Sequence, residues 1–181
     1  VGIPEIKENI REILKYLEYS KKIDTEGFAN LNMIFKGNSG TGKTTVARLF
    51  LHIIYDNGLL LKVYLYEVGR ADIVGQYVGQ TAPLVKAMFR KAKGSVLFID
   101  EAYSLVDDRD GLYGDEAINT IVQEMENNRE DTVVIFAGYP DKMEQFLDKN
   151  PGLRSRIAFN IPFDDYNEDE LLQIAELTAQ K

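Results

Sequence analysis

Gly37-Asn38-Ser39-Gly40-Thr41-Gly42-Lys43-Thr44 constrains this chain more than any other stretch. It fits the pattern G-x-x-x-x-G-K-[ST]. The apolar run Met33-Ile34-Phe35 precedes it, and Val46, Leu49, Phe50, Ile53 and Ile54 follow at helical spacing over Thr44 to Tyr55. Strand, tight loop and helix are the only succession that suits this order. Glycines let the backbone turn back so that successive N–H groups converge on an anion. The helix opening near Lys43 adds its positive end. Lys43 would neutralise β- and γ-phosphates, and the Thr44 hydroxyl would complete a Mg²⁺ site. The expected cradle is Asn38, Ser39, Gly40, Thr41, Gly42, Lys43, Thr44 and Thr45, with ATP and Mg²⁺ as cofactors. An accidental glycine-rich turn is the competing reading, and the flanking strand and helix argue against it.

The same alternation runs through the rest of the chain. Helical spacing of Ile6, Ile10, Ile13, Leu14 and Leu17 follows Pro4, which suits a helix start. Strand patterns cover Lys62 to Val68, Ser95 to Asp100, Thr132 to Ala137 and Ile157 to Ile161; helical ones cover Ala82 to Lys93, Asp115 to Asn127 and Glu168 to Lys181. With Met33 to Phe35 this predicts an α/β domain of three layers, a P-loop NTPase fold on a parallel five-stranded sheet. Turn-forming residues near Phe163 to Asn167 place a boundary between a core, residues 1–163, and a further helical segment, residues 164–181. A first residue Val1 and an end inside a helical pattern read as a piece cut from a longer protein.

The run Val96-Leu97-Phe98-Ile99 leads directly into Asp100-Glu101. A buried parallel strand that ends in carboxylates presents them at the sheet's carboxyl edge, where the phosphate loop also lies. Asp100 is expected to hold the Mg²⁺ shell through water, and Glu101 to polarise a water for in-line attack on the γ-phosphate. The competing reading is a turn or helix cap. A kinase would bring a substrate hydroxyl to that place, so Glu101 favours hydrolysis.

Composition removes other classes. The net charge of −8 and a pI near 4.8 argue against a duplex nucleic-acid binder. There is no cysteine, which excludes disulfides, thiolate metal sites and cysteine nucleophiles. His52 is the single histidine, lies in the helix after the loop and reads as structural. No apolar run is long enough to span a bilayer and no signal-like segment opens the chain, so no membrane partner and a cytoplasmic location are expected.

The segments GNSGTGKTTVA, RADIVGQYVGQTAP, VLFIDEAYSL, MENNRED, VVIFAGYPDKM and NPGLRSRI, in this order and spacing, resemble the CbbX/CfxQ group of AAA+ ATPases. That group includes stage V sporulation protein K and red-type Rubisco activase; EccA-type secretion ATPases carry a related domain. The resemblance spans nearly the whole chain. It implies an AAA+ large subdomain with most of its helical lid absent, and an ATP-hydrolysing homo-oligomer, a hexamer, that remodels a client protein. By position, Val1 and Gly2 resemble the start of the segment lining the adenine pocket. Tyr77 resembles the aromatic pore-loop residue that grips a client, against the alternative of a ring packed on its own loop. Asp107 to Gly114 is either a second pore-facing loop or a solvated turn. Arg154 and Arg156 resemble the arginine-finger segment, with Arg156 preferred because it directly precedes the last strand pattern.

One departure stands out. Many AAA+ proteins place Asn or Thr after the fourth core strand to position the attacking water. Here the stretch reads Ala137-Gly138-Tyr139-Pro140, leaving the Tyr139 hydroxyl as the polar group at hand. This departure is also the best support for a second function, a nucleotide-switched scaffold that assembles and recruits partners with little hydrolysis. A small-molecule kinase and a nucleic-acid motor rank below both.

Overall fold

The computed structural model describes residues 2–23, 30–74, 81–105, 114–163, 172 and 176. Helix α1 (Gly2–Ile23) leads to β1 (Met33–Lys36), α2 (Lys43–Asp56), β2 (Leu65–Val68), α3 (Arg70–Val74) and α4 (Thr81–Ala92). Then come β3 (Val96–Asp100), a 3₁₀ turn (Ala102–Leu105), α5 (Gly114–Asn127), β4 (Val133–Gly138), α6 (Pro140–Asp148), α7 (Pro151–Arg154) and β5 (Phe159–Pro162). The strands form one five-stranded parallel sheet in the order β2-β3-β4-β1-β5.

Both faces of the sheet are covered, and the strand period of two divides its side chains between them. Met33, Phe35, Val96, Phe98, Val133 and Ile135 pack with Ile10 and Ile13 of α1 and with the apolar face of α2. Their neighbours Ile34, Leu97, Ile99, Val134 and Phe136 pack on the other side with α4, α5 and α6. Phe35 anchors the first layer through edge contacts with Phe50 and Phe98, ring centroids 5.8 and 6.4 Å away.

Two strands differ from the sequence expectation. The pattern from Lys62 predicts a longer β2, but the regular strand begins at Leu65. The Ser95 side chain takes over the pairing before it: its hydroxyl accepts from the Tyr64 amide at 2.9 Å and reaches the Lys62 carbonyl at 3.0 Å. Leu61 and Lys62 both donate to the Gly94 carbonyl, at 2.8 and 3.0 Å. The last strand begins at Phe159 rather than Ile157 because the Ile157 amide closes a turn onto Arg154 O at 3.1 Å. Helices α3, α6 and α7 were not expected. For α6 the signal was present: Pro140 at its first turn, with buried Met143, Phe146 and Leu147 at helical spacing.

Close neighbours fix two glycines. A Cβ on Gly138 would lie 2.7 Å from Met143 Sδ and 2.7 Å from Tyr103 Cε1. On Gly37 it would lie 2.7 Å from Phe163 Cβ and 3.1 Å from the Phe163 carbonyl. Gly138→Ala should therefore destabilise the fold by about 1–3 kcal/mol through overpacking. The check is a lowered denaturant midpoint with an unchanged slope; an unchanged midpoint would mean that Met143 and Tyr103 move aside freely.

Candidate functional site

The phosphate loop leaves the carboxyl end of β1, and β1 lies between β4 and β5. Its entry is fixed by the Gly37 amide, which donates to Gly138 O at 3.0 Å and so carries the β1–β4 pairing past the strand end. Gly40 and Gly42 have φ of 77° and 89°, left-handed conformations that glycine adopts without cost. Thr41, buried, closes the turn from within by donating to Asn38 O at 2.7 Å. Asn38, Ser39 and Gly40 are exposed along the loop. Helix α2 starts at Lys43 with no side-chain cap and no acidic residue in its first turn. Its leading N–H groups, those of Lys43, Thr44 and Thr45, are thus left for an anion.

Lys43 is buried, and its ammonium donates to Gly37 O at 2.6 Å and Asn38 O at 3.0 Å. Burial pulls its pKa below the ordinary lysine value, while Asp100 and Glu101 act in the opposite direction. The charge on Lys43 is thus held by carbonyls and two carboxylates, and phosphate oxygens would serve it better.

Those carboxylates come from β3, which is separated from β1 by β4 alone. Two interstrand steps of about 4.8 Å place Asp100 roughly 10 Å across the sheet from the loop's root. Asp100 Oδ1 accepts from the Glu101 amide at 3.0 Å. Glu101 has φ of 52°, the one non-glycine residue with positive φ among those described. That conformation costs roughly 1–3 kcal/mol and is retained where the surroundings over-determine it, most often at working sites. Nothing in the sequence signalled it.

Tyr139 follows β4, and its hydroxyl lies 3.0 Å from Ser39 Oγ. The position that lacks Asn or Thr therefore holds a tyrosine that clasps the loop itself. Beneath it Tyr103 is buried, with Lys142 Nζ 5.3 Å from the centre of its ring. Burial pushes the Tyr103 phenol above its ordinary pKa, the Tyr139 backbone opposing and Glu101 adding to the shift.

Thr44 and Asp100 are the residues present that suit a magnesium ion bound with a nucleotide. Among the described residues no three His, Asp or Glu side chains converge. The ion would draw its remaining ligands from phosphate and water, as hard, reluctantly dehydrated Mg²⁺ commonly does.

Arg156 lies at the other end of the sheet. Ala158 and Phe159 pair with the carbonyl of Asn32, just before β1, at 2.9 and 3.3 Å. The five steps from Asn32 to Gly37, about 3.3 Å each, put roughly 16 Å between that edge and the chain's own phosphate loop. Arg154 is tied down within the chain, donating to Glu144 at 3.1 Å and Asp148 at 2.8 Å, with Lys36 also paired to Glu144. Arg156 donates from Nη1 to Gly152 O at 2.8 Å, while its Nε stands 3.9 Å from Glu126. Gly2 is the first residue of α1. Val1, Tyr77, residues 107–113 and most of 164–181 lie outside the described residues.

Comparison with known proteins agrees with this geometry. The family model described as "ATPase family associated with various cellular activities (AAA)" matches residues 33–164. The chain is 48% identical to the chromosomal CbxX protein of Cupriavidus necator over 98% of its own length and 57% of that protein. It is 46% identical to the chloroplastic ribulose bisphosphate carboxylase/oxygenase activase of Cyanidioschyzon merolae, over all of its own length and 64% of that protein. A solved structure of the Aeropyrum pernix ORC2 protein with ADPNP and ADP superposes on 98% of the chain and 51% of its own, with TM-score 0.56 at 19% identity, a likeness of fold. The chain thus spans between half and two thirds of the curated relatives it matches. Among the described residues no helix is long and apolar enough to cross a membrane. A phosphate loop on β1, an acidic end on β3, the sheet order and these matches over nearly the full chain have one common account: the chain belongs to the CbbX/CfxQ group of the AAA family of ATPases.

Proposed function

We propose that this chain binds ATP with Mg²⁺ and hydrolyses it in an oligomeric ring, a hexamer, whose active sites are shared between neighbouring subunits. One observation carries this reading: Arg156 and the phosphate loop occupy opposite edges of the same sheet, too far apart to meet within one chain. An arginine so placed serves another subunit's phosphates, where stabilising charge on the transferred phosphoryl group is worth roughly 10³–10⁵ in rate. Residues 1–163 form the nucleotide-binding core in this reading, and 164–181 open a helical lid.

The chemical step follows from the groups at the loop. Backbone amides of the loop and the ammonium of Lys43 hold the β- and γ-phosphates. Glu101 takes a proton from the water that attacks the γ-phosphorus, as the bond to the β-phosphate oxygen breaks and ADP leaves. Thr44 and, through water, Asp100 would hold a magnesium ion, which would supply positive charge against the phosphates. The left-handed backbone of Glu101 supports its role, because strain kept at a strand end sets the direction of the carboxylate. Tyr139 contributes its hydroxyl through Ser39, which ties the state of the loop to the end of β4. The ring's work is to remodel a client protein, with Tyr77 as the residue that engages it. That part rests on the family and on the relative named as an activase.

Glu101→Gln should keep ATP affinity and lower turnover by at least about 100-fold. Turnover equal to wild type, with binding intact, would remove Glu101 from the reaction. Tyr139→Phe should lower turnover by about three- to tenfold, the scale of one neutral hydrogen bond, with ATP affinity little changed. A steady-state comparison at saturating ATP decides this; an undiminished rate would remove the Tyr139 hydroxyl from the reaction.

A further inference from the structure

Arg156 is held at its backbone by a side chain far away in sequence. Asn30 Nδ2 donates to the Arg156 carbonyl at 3.1 Å. The same side chain accepts the Asn32 amide on Oδ1 at 3.1 Å, and the Asn30 amide donates to the Tyr16 hydroxyl at 3.1 Å. Tyr16, on α1, also sets its ring edge-on against Phe159, centroids 5.8 Å apart and planes at 82°. Asn32 completes the seam: its Oδ1 accepts from the Val134 amide at 2.9 Å. The segment carrying Arg156 is therefore fastened to α1, to the approach to β1 and to β4.

The segment needs such a fastening. Residues 155–157 run between α7 and β5 as a turn, closed locally by Arg156 N to Leu153 O at 3.0 Å and Ile157 N to Arg154 O at 3.1 Å. Among the described residues, the bond to the Arg156 carbonyl comes from Asn30. Beyond the guanidinium's bond to Gly152 O and its distant pairing with Glu126, a cavity of about 130 Å³ opens beside it, lined by Asn30, Glu126 and Arg129 among others. The Arg156 Nε is buried without a hydrogen-bond partner among the described residues, so few side-chain bonds set the guanidinium's aim and the setting of its backbone matters.

We propose that Asn30 is a positioning residue for Arg156: its side-chain amide fixes the Arg156 carbonyl, so that the guanidinium projects from the amino edge of the sheet toward a neighbouring subunit's phosphates. This rests on the reading of Arg156 as an arginine donated between subunits. Asparagine suits the task because one side chain offers a donor to Arg156 and an acceptor to Asn32. Aspartate keeps the acceptor, loses the donor and sets oxygen against oxygen. The Tyr16 bond makes α1, whose first residues are assigned to the adenine pocket, a strut that ends at the arginine segment.

The test uses the full-length assembled protein and mixed subunits. Asn30→Asp should lower turnover by about ten- to hundredfold, the effect of misplacing a reacting group by an ångström or less, with ATP affinity unchanged. Its own phosphate loop and Glu101 are intact. Adding Glu101→Gln subunits, silent alone but carrying a well-set Arg156, should therefore raise turnover several-fold. Arg156→Ala should be rescued by the same addition. Wild-type turnover in Asn30→Asp would overturn the proposal. So would depressed turnover that Glu101→Gln fails to rescue while Arg156→Ala is rescued, since Asn30 would then serve only its own subunit's fold. Failure to rescue Arg156→Ala would overturn the shared-site reading and this inference with it. If Asn30→Asp does not fold, Asn30→Ala loses both bonds without adding charge and is read in the same mixture.

Discussion

The amide of Gly37, one residue past β1, meets the carbonyl of Gly138, the last residue of β4, at 3.0 Å, and the working parts of the chain are arranged around that bond. It seats the phosphate loop on the sheet, and neither glycine has room for a Cβ. On one side of it, Phe163 closes over Gly37; on the other, Tyr103 and Met143 fill the space under Gly138.

Around this seat the chain keeps groups that are costly to a domain without a ligand. Lys43 is buried with its charge against two carbonyls, and Glu101 is kept in a left-handed conformation. Helix α2 presents leading amides with no side chain to cap them. Each is a cost to the isolated domain, of the order that a single substitution could remove. Their concentration at one sheet edge is what distinguishes a site from a fold.

Much of this was legible in the sequence because it is local. The glycines of the loop, the run into Asp100-Glu101 and the strand and helix periods each lie within a dozen residues. What was not legible depends on residues distant in sequence. Asn30 meets Arg156 across 126 positions, and Ser39 meets Tyr139 across 100. The shortened β2 depends on the Ser95 hydroxyl displacing a backbone partner, which no period of hydrophobicity records. Helix α6 is a different case, since Pro140, Met143, Phe146 and Leu147 carried the pattern beside a stretch read only for its polar groups. The expectations for Tyr77 and Val1 fall outside the described residues and rest on the resemblance.

In the proposed reading the fold divides the chemistry: the phosphate loop leaves one end of the sheet, and Arg156, at the opposite end, is offered to a neighbouring subunit. If the sites are completed between subunits, the dependence of rate on assembly is the direct measure of that division. Turnover per chain should be followed across a wide range of protein concentration in the wild type and in Arg156→Ala. A wild-type rate that climbs with concentration to a plateau, over a low and flat rate in the variant, is the predicted result. Equal rates in the two proteins, independent of concentration, would contradict it and place the whole active site within a single chain.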